Sequence, residues 1–568
     1  MARLRDFRGV EGSNFFEQDR GMELLLSELL PEEKRPSVLE SVREFAGLIA
    51  GRWNDLAREA SRAENLPRLI KHDRVGNPVE RVDLGPLTRR LRREVAEFGL
   101  FRSTESELHK FALIYFTGHN GEASLTCGVS CTDGLIRSIE ARGDAFLRDH
   151  YLPLLRSVET PFAGAQFVTE QAGGSDVGAI ETEATPSSDG TWSITGEKWF
   201  CSNPDEYFLV AARPAGRPAG TGGVAVFLVP RVLPGGSLNA LSYRRLKDKL
   251  GTRSLPTAEI DFNGATGYAI GDPSEGFKTL MNYVINASRI HNAVNSCGIL
   301  HRAFLEARNY ARQREAFGGA LVDYPLVQET LVSLLERLWR HRLLTFRTVA
   351  SVDLHTIAPS DPEQAMWQRF LLNLSKYRTC ATLAESVREA ILVFGANGIV
   401  EDFSILPRLL RDTLIIETWE GTHNTLCLQI LRDAARSNLV ERWRAEVSAA
   451  LERWPRSFLS ATREDFKLSF EQASGLLSKE SLSNRLYAET HARRLVDAMG
   501  ALLEIAWMAD LAERHAERDA TAAVLTSLAG YHLLSKESAF AHPGFLAASE
   551  HARALIDEKP FNADLSSL

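Results

Sequence analysis

A change of periodicity constrains this chain more than any other feature. Between about Pro161 and Asp272 it breaks into short β-rich runs punctuated by Gly, Pro, Asn and Asp. Residues 166–169, 192–195, 207–210 and 224–229 are such runs, and 258–262 alternates in polarity. No helical stretch separates them. That argues against βαβ units and a parallel sheet, and predicts a compact antiparallel sheet or barrel of about 110 residues.

On both sides the apolar residues recur at helical spacing. Phe45, Leu48 and Ile49 share a face, as do Leu87, Leu91, Val95 and Phe98. Later, Leu326, Val327, Leu331, Leu334, Leu335 and Leu338 form one stripe. Leu383, Val387, Ala390, Ile391 and Phe394 form another, stopped at Gly395-Ala396-Asn397-Gly398. Stripes of this length suit a helical bundle. The expected fold is therefore mainly α with a central antiparallel β barrel. Its segments are an N-terminal helical domain (1–162), a β domain (163–274), a helical bundle (275–435) and an additional C-terminal helical domain (436–568). A chain of 568 residues has room for them.

Lys and Arg number 66 against 74 Asp and Glu, a net charge of −8, which argues against a globally basic nucleic-acid binder. Residues 440–568 hold 15 basic and 19 acidic side chains, although Arg493-Arg494 could join a local patch. The stretch Met1 to Arg8 has charge but no apolar run behind it, unlike a secretory signal. No run of about 18 uninterrupted apolar residues offers a membrane span. The expectation is a soluble, cytoplasmic protein. Six cysteines are too few for a disulfide scaffold. Cys127 and Cys131 lack a nearby Cys or His pair to complete a zinc site, so they read as reduced core thiols and no metal is expected.

Four motifs bear on chemistry. In the first, Phe167-Val168-Thr169-Glu170-Gln171-Ala172-Gly173-Gly174-Ser175-Asp176-Val177, a strand runs into a loop whose glycines let backbone N–H groups approach a ligand such as a phosphate. Thr169 and Ser175 add hydroxyls; a ligand-free turn is the plain alternative. The second, Lys198-Trp199-Phe200-Cys201-Ser202, sets two aromatics on a strand. One could pack a core while the other stacks on a flat heterocycle, since strand neighbours face opposite ways; both could equally be core. The third, Trp419-Glu420-Gly421-Thr422-His423-Asn424, sets a carboxylate among apolar residues, with Thr422 placed to cap a helix beginning near Asn424. Desolvation by Trp419 would raise that carboxyl above about 4.3, as a general base needs; a helix-terminal charge is the alternative. The fourth, Arg312-Gln313-Arg314-Glu315-Ala316-Phe317-Gly318-Gly319, ends a helix with a basic cluster that is either solvated or an anion contact. No Gly-x-Gly-x-x-Gly lies between a strand and a helix, so a Rossmann site is unsupported.

In this order the motifs resemble the acyl-CoA dehydrogenase family, over roughly residues 100–435. Arg245-Leu246-Lys247-Asp248-Lys249-Leu250-Gly251-Thr252-Arg253-Ser254, the segment Leu69 to Asp73 and the C-terminal extension resemble its AidB-like, alkylation-response subgroup. The resemblance implies FAD held among a helical domain, a β domain and a helical bundle. It places Phe167, Thr169, Gly174 and Ser175 along the flavin and its pyrophosphate, Phe200 against the isoalloxazine where the family often has Trp, and Ser202 at flavin N5. It places Arg314, Phe317, Gly395 and Gly398 near the FAD of a neighbouring subunit, with Leu392 replacing a frequent Gln, and Thr422 and Asn424 on the adenosine side. Ser175, Arg289 and Gly421 are implied on the substrate, although the usual acidic neighbour of the arginine is Asn286 here.

The implied reaction is α,β-dehydrogenation of a fatty acyl-CoA. Glu420 removes the α-proton and the β-hydrogen passes as hydride to the flavin, while a backbone N–H near the base and a ribityl hydroxyl support the thioester oxygen. Two other readings stand beside it: a DNA-associated protective flavoprotein of the AidB kind, disfavoured by the C-terminal charge balance, and an acyl-CoA-binding regulator without turnover. The resemblance also implies a homotetramer built as a dimer of dimers, and an acceptor such as an electron-transfer flavoprotein.

Overall fold

The computed structural model describes residues 7–454, 459–535 and 542–563; Met1 to Asp6, part of the stretch read for a secretory signal, lie outside them. The chain forms two compact units, Arg52–His291 and the combination of Met1–Gly51 with Asn292–Leu568. Among the described residues no helix is long and apolar enough to cross a membrane.

The unit Arg52–His291 is built on nine strands. They are β1 (Arg68–His72), β2 (Pro78–Asp83), β3 (Gly164–Phe167), β4 (Glu183–Pro186), β5 (Trp192–Ser202), β6 (Tyr207–Pro214), β7 (Ala225–Pro230), β8 (Leu241–Leu246) and β9 (Thr257–Ala269). Strands β6, β4, β5, β9 and β7 pair in a ring that returns to β6, closing a barrel; β3 adds to β6 and β8 to β9. The pairings are antiparallel except β3–β6 and β4–β6, which run parallel. The exceptions have a topological cause: the chain passes through β4 and β5 before reaching β6, and this long excursion does the work of a crossover helix.

Phe167, Ile194, Phe208, Val210, Phe227 and Ile260 fill the barrel interior. The alternate residues Leu209, Ala211, Val226 and Leu228 face outward, onto Leu135 and Ile139 of the helix Ala123–Arg142. Buried on both faces, β6 and β7 read as continuous apolar runs. The hairpin β1–β2 interrupts an otherwise helical N-terminal region. Its loop is set by Asp73, whose carboxylate accepts from Val75 N at 2.8 Å and Asn77 N at 2.9 Å. The expected helix at 86–99 is Gly85–Phe98, ended by Gly99 at φ 102°.

The other unit is helical. Asp361 caps Pro362–Ala381 by accepting from Gln364 N at 3.1 Å, with Pro362 in the first turn. This helix packs against Pro325–His355 and His423–Arg436. The C-terminal extension includes Leu439–Arg453, Ser460–Leu476, Arg485–His515 and Thr521–Leu533. It is tied in by buried Glu504, which accepts from Arg340 Nη1 at 2.7 Å and from Arg378 Nε at 3.0 Å. Arg340 and Arg378 hold that carboxyl well below its ordinary value against the opposing effect of burial.

Candidate active site

In the helical unit, Leu406–Ile416 ends in a turn, and His423–Arg436 begins a few residues later. Glu420 sits between them, half-buried, at φ 56°, followed by Gly421 at φ 103°. A non-glycine residue in the left-handed region costs about 1–2 kcal/mol and needs outside support. Lys376, fully buried on Pro362–Ala381, gives that support: its Nζ donates to Glu417 O at 3.0 Å and to Gly421 O at 2.9 Å. One ammonium thus clamps the backbone on both sides of the carboxylate-bearing residue. Thr422 occupies the N-cap position, but its hydroxyl bonds the Thr425 hydroxyl at 3.0 Å rather than a helix N–H. Burial, with Lys376 and Arg493 adding, pushes His423 down to about 4, so it is neutral beside the turn at pH 7.

In the barrel unit, β3 leads into the loop that carries Thr169, Gly174 and Ser175. Glu170, 3% exposed, turns inward and accepts from Lys198 Nζ at 2.5 Å, Thr182 Oγ1 at 2.6 Å and Glu181 N at 2.6 Å. Burial opposes the Glu170 charge, but Lys198 and the other donors outweigh it and hold the carboxyl below its ordinary value. Lys198 also donates to Val168 O at 3.2 Å, and Trp199 N to Thr169 O at 2.9 Å, so β5 fixes the loop from beneath. At Gly174 a Cβ would come within 3.1 Å of Thr169 Oγ1, so glycine keeps that hydroxyl uncrowded. The Phe167 side chain lies in the barrel core against Phe208; only its backbone is left to meet a ligand.

The expectation that Trp199 and Phe200 face opposite ways is corrected. Between Lys198 and Cys201 the β5–β9 register slips by one residue. The bulge turns both rings to the outer side, Phe200 being 49% exposed. Lys247 Nζ lies over both, 3.4 Å from the Trp199 centroid and 4.7 Å from that of Phe200, and donates to Glu259 at 2.8 Å. Beyond the rings, Ser202 Oγ meets Thr257 Oγ1 at 3.1 Å, and Lys249 Nζ donates to Thr257 Oγ1 at 2.9 Å.

The remaining expected residues fall into groups. Tyr310 links Arg314 to the Gly395–Ile399 turn: Arg314 N donates to Tyr310 O at 2.9 Å and Asn397 Nδ2 to Tyr310 Oη at 3.2 Å. Phe317, in the left-handed region on the hairpin beyond Arg314, is 97% exposed. Gly395 adopts φ 62°, and at Gly398 a Cβ would lie 2.6 Å from Ile391 O. Ser175 and Asn424 are exposed, whereas Arg289 is buried. Among the described residues no group of three or more His, Cys, Asp or Glu could hold a metal, and all six cysteines are buried and unbridged.

Lys198, Lys247, Lys249, Thr257 and Lys376 were missed as site builders. For Lys198 a signal existed, since β alternation from Ile194 puts it on the inner face. A single lysine amid the apolar residues of Pro362–Ala381 marked Lys376 as unusual, without naming its acceptors.

Two family models match the chain: the acyl-CoA dehydrogenase C-terminal domain over residues 274–435 and the acyl-CoA dehydrogenase middle domain over residues 165–265. Acyl-CoA dehydrogenase family member 11 of Caenorhabditis elegans is 31% identical over 438 residues, covering 74% of this chain and 70% of that protein. Putative acyl-CoA dehydrogenase AidB of Escherichia coli is 36% identical over 266 residues, 47% of each chain. The crystal structure of C. elegans ACDH-11 in complex with C11-CoA superposes with a TM-score of 0.82 at 26% identity, covering 99% of this chain and 94% of that one.

Proposed function

Because the chain belongs to the acyl-CoA dehydrogenase family of FAD-dependent oxidoreductases, we propose that it dehydrogenates a fatty acyl-CoA thioester at its α,β bond, with Glu420 as the base. The observation that carries this reading is the clamped left-handed turn: a half-buried carboxylate on a strained backbone, held from both sides by one buried ammonium. Strain of this kind marks functional positions. The C11-CoA bound by the C. elegans relative supports a fatty acyl-CoA as substrate.

The barrel residues fit FAD. Gly174 leaves the Thr169 hydroxyl open, and the β5 bulge presents two rings and the Ser202 hydroxyl on one face, suited to a flat heteroaromatic. Thr169, Gly174, Ser175, Phe200 and Ser202 would hold it, with Phe167 through its backbone. The chemistry FAD supplies when bound is acceptance of the β-hydrogen with its electron pair. Glu420 takes the α-proton, made acidic by the thioester carbonyl. The turn at Gly421 offers backbone N–H groups to the thioester oxygen as charge builds there. Ser175 and Arg289 complete the substrate contacts, and Thr422 and Asn424 those to the adenosine. Arg314, Phe317, Gly395 and Gly398 serve the FAD of a neighbouring copy in a homotetramer, a role supported by the exposed Phe317 ring and by the Tyr310 link. The four-segment division at 162, 274 and 435 belongs to this reading, as does an electron-transfer flavoprotein as acceptor.

The test is anaerobic titration of the purified protein with acyl-CoAs of graded chain length, following flavin absorbance. Wild type should bleach, and Glu420→Gln should retain FAD without bleaching. Equal bleaching by the variant would remove Glu420 as base; no bleaching of wild type by any acyl-CoA would remove the dehydrogenase reading.

A further inference from the structure

Lys249, Thr257 and Ser202 form a hydrogen-bonded series whose direction is set by chemistry. Lys249 Nζ donates to Leu255 O at 2.7 Å and to Thr257 Oγ1 at 2.9 Å. An ammonium has no lone pair to accept with, so Thr257 is the acceptor in that bond. Thr257 is 3% exposed, and its oxygen has one other hydrogen-bonding partner, Ser202 Oγ at 3.1 Å, directly across the β5–β9 pair. Its hydroxyl proton therefore goes to Ser202, because the reverse arrangement leaves a buried donor unpaired. Ser202 is thereby an acceptor toward Thr257, and its own proton is left to point away, to the side where the bulge sets Trp199 and Phe200.

We infer that Lys249 is a positioning residue which, through Thr257, fixes the Ser202 hydroxyl as an outward donor to the ring of the bound flavin. The inference rests on the flavin reading of Phe200 and Ser202 given above. A charged first donor polarises each following hydroxyl, so the outermost bond is stronger than that of an isolated serine. Electron density on the flavin ring rises on reduction, and a stronger donor there favours the reduced form.

The test is the midpoint potential of bound FAD, measured by dye-coupled anaerobic titration of the holoprotein, with FAD content as a check on folding. Lys249→Met and Thr257→Val should each lower the preference for reduced over oxidised flavin about tenfold, equal to about 30 mV for a two-electron couple. Lys249→Gln, a donor without charge, should fall between wild type and Lys249→Met. In a Ser202→Ala background Lys249→Met should cause no further shift. An undiminished shift in that background, or no shift in wild type, would overturn the relay while leaving the dehydrogenase reading intact. A colourless wild-type protein that fails to take up FAD would overturn both together.

Discussion

Replacing Lys376 by methionine keeps most of the side-chain volume and removes the ammonium that bonds Glu417 O at 3.0 Å and Gly421 O at 2.9 Å. At about 1–2 kcal/mol for each carbonyl left unpaired, the turn loses about 2–4 kcal/mol. That corresponds to a roughly 30- to 700-fold shift in its equilibrium. Glu420, at φ 56°, then has reason to leave the left-handed region, where it costs about 1–2 kcal/mol. Hydrogen exchange read by mass spectrometry should show lost protection in residues 417–422 with little change in the barrel unit. Flavin bleaching by acyl-CoA should slow at least about tenfold at unchanged FAD content, and Lys376→Gln, able to serve one carbonyl, should lie between. Wild-type exchange in that segment of the methionine variant would refute the clamp whatever the activity.

Lys198→Met strands the buried Glu170 carboxylate and should cost about 3–5 kcal/mol in urea unfolding, largely recovered by adding Glu170→Gln; a single variant as stable as wild type would contradict the pairing. His301 and His341 are buried and pushed down to about 4, so the unfolded chain takes up their protons first as pH falls. Their stabilisation is complete above about 6.5 and is lost as pH drops toward 4, worth about 3 kcal/mol each. Denaturant midpoints should fall between pH 7 and 5, and a flat profile would show that the two sites titrate normally. Gly174→Ala should loosen FAD retention about tenfold, near 1.4 kcal/mol, by crowding Thr169 Oγ1; unchanged FAD content after dialysis would count against the loop as a cofactor site.

The order helix, β, helix was legible because periodicity reports burial on one face, and the helices containing Phe45, Leu91 and Phe394 lie where their stripes put them. The β1–β2 hairpin was not, since its side chains are mostly solvated and no apolar alternation marks it. The parallel pairings of β6 depend on the order in which strands meet, which composition does not encode. Within the site, Glu420 stood out by its neighbours, but its support comes from Lys376, more than 40 residues earlier, through backbone oxygens that look alike in every sequence. Thr422 occupies the cap position without the cap hydrogen bond, its hydroxyl meeting that of Thr425 instead, a pairing the capping pattern alone does not distinguish.

The irregularity between Lys198 and Cys201 also decides which functional groups the last residues of β5 display. A strand counts its faces by twos. Were these residues paired as a regular strand, without the bulge, Lys198, Phe200 and Ser202 would all point inward and the Cys201 thiol would look out. With it, the parity resets: a thiol goes to the core and a hydroxyl to the outer side. Deleting Trp199 or Phe200 would remove the bulge yet leave the thiol in the core and the hydroxyl outside, so it is the bulge at full length that lets the strand carry two outward rings and still show an unreactive alcohol rather than an oxidisable sulfur.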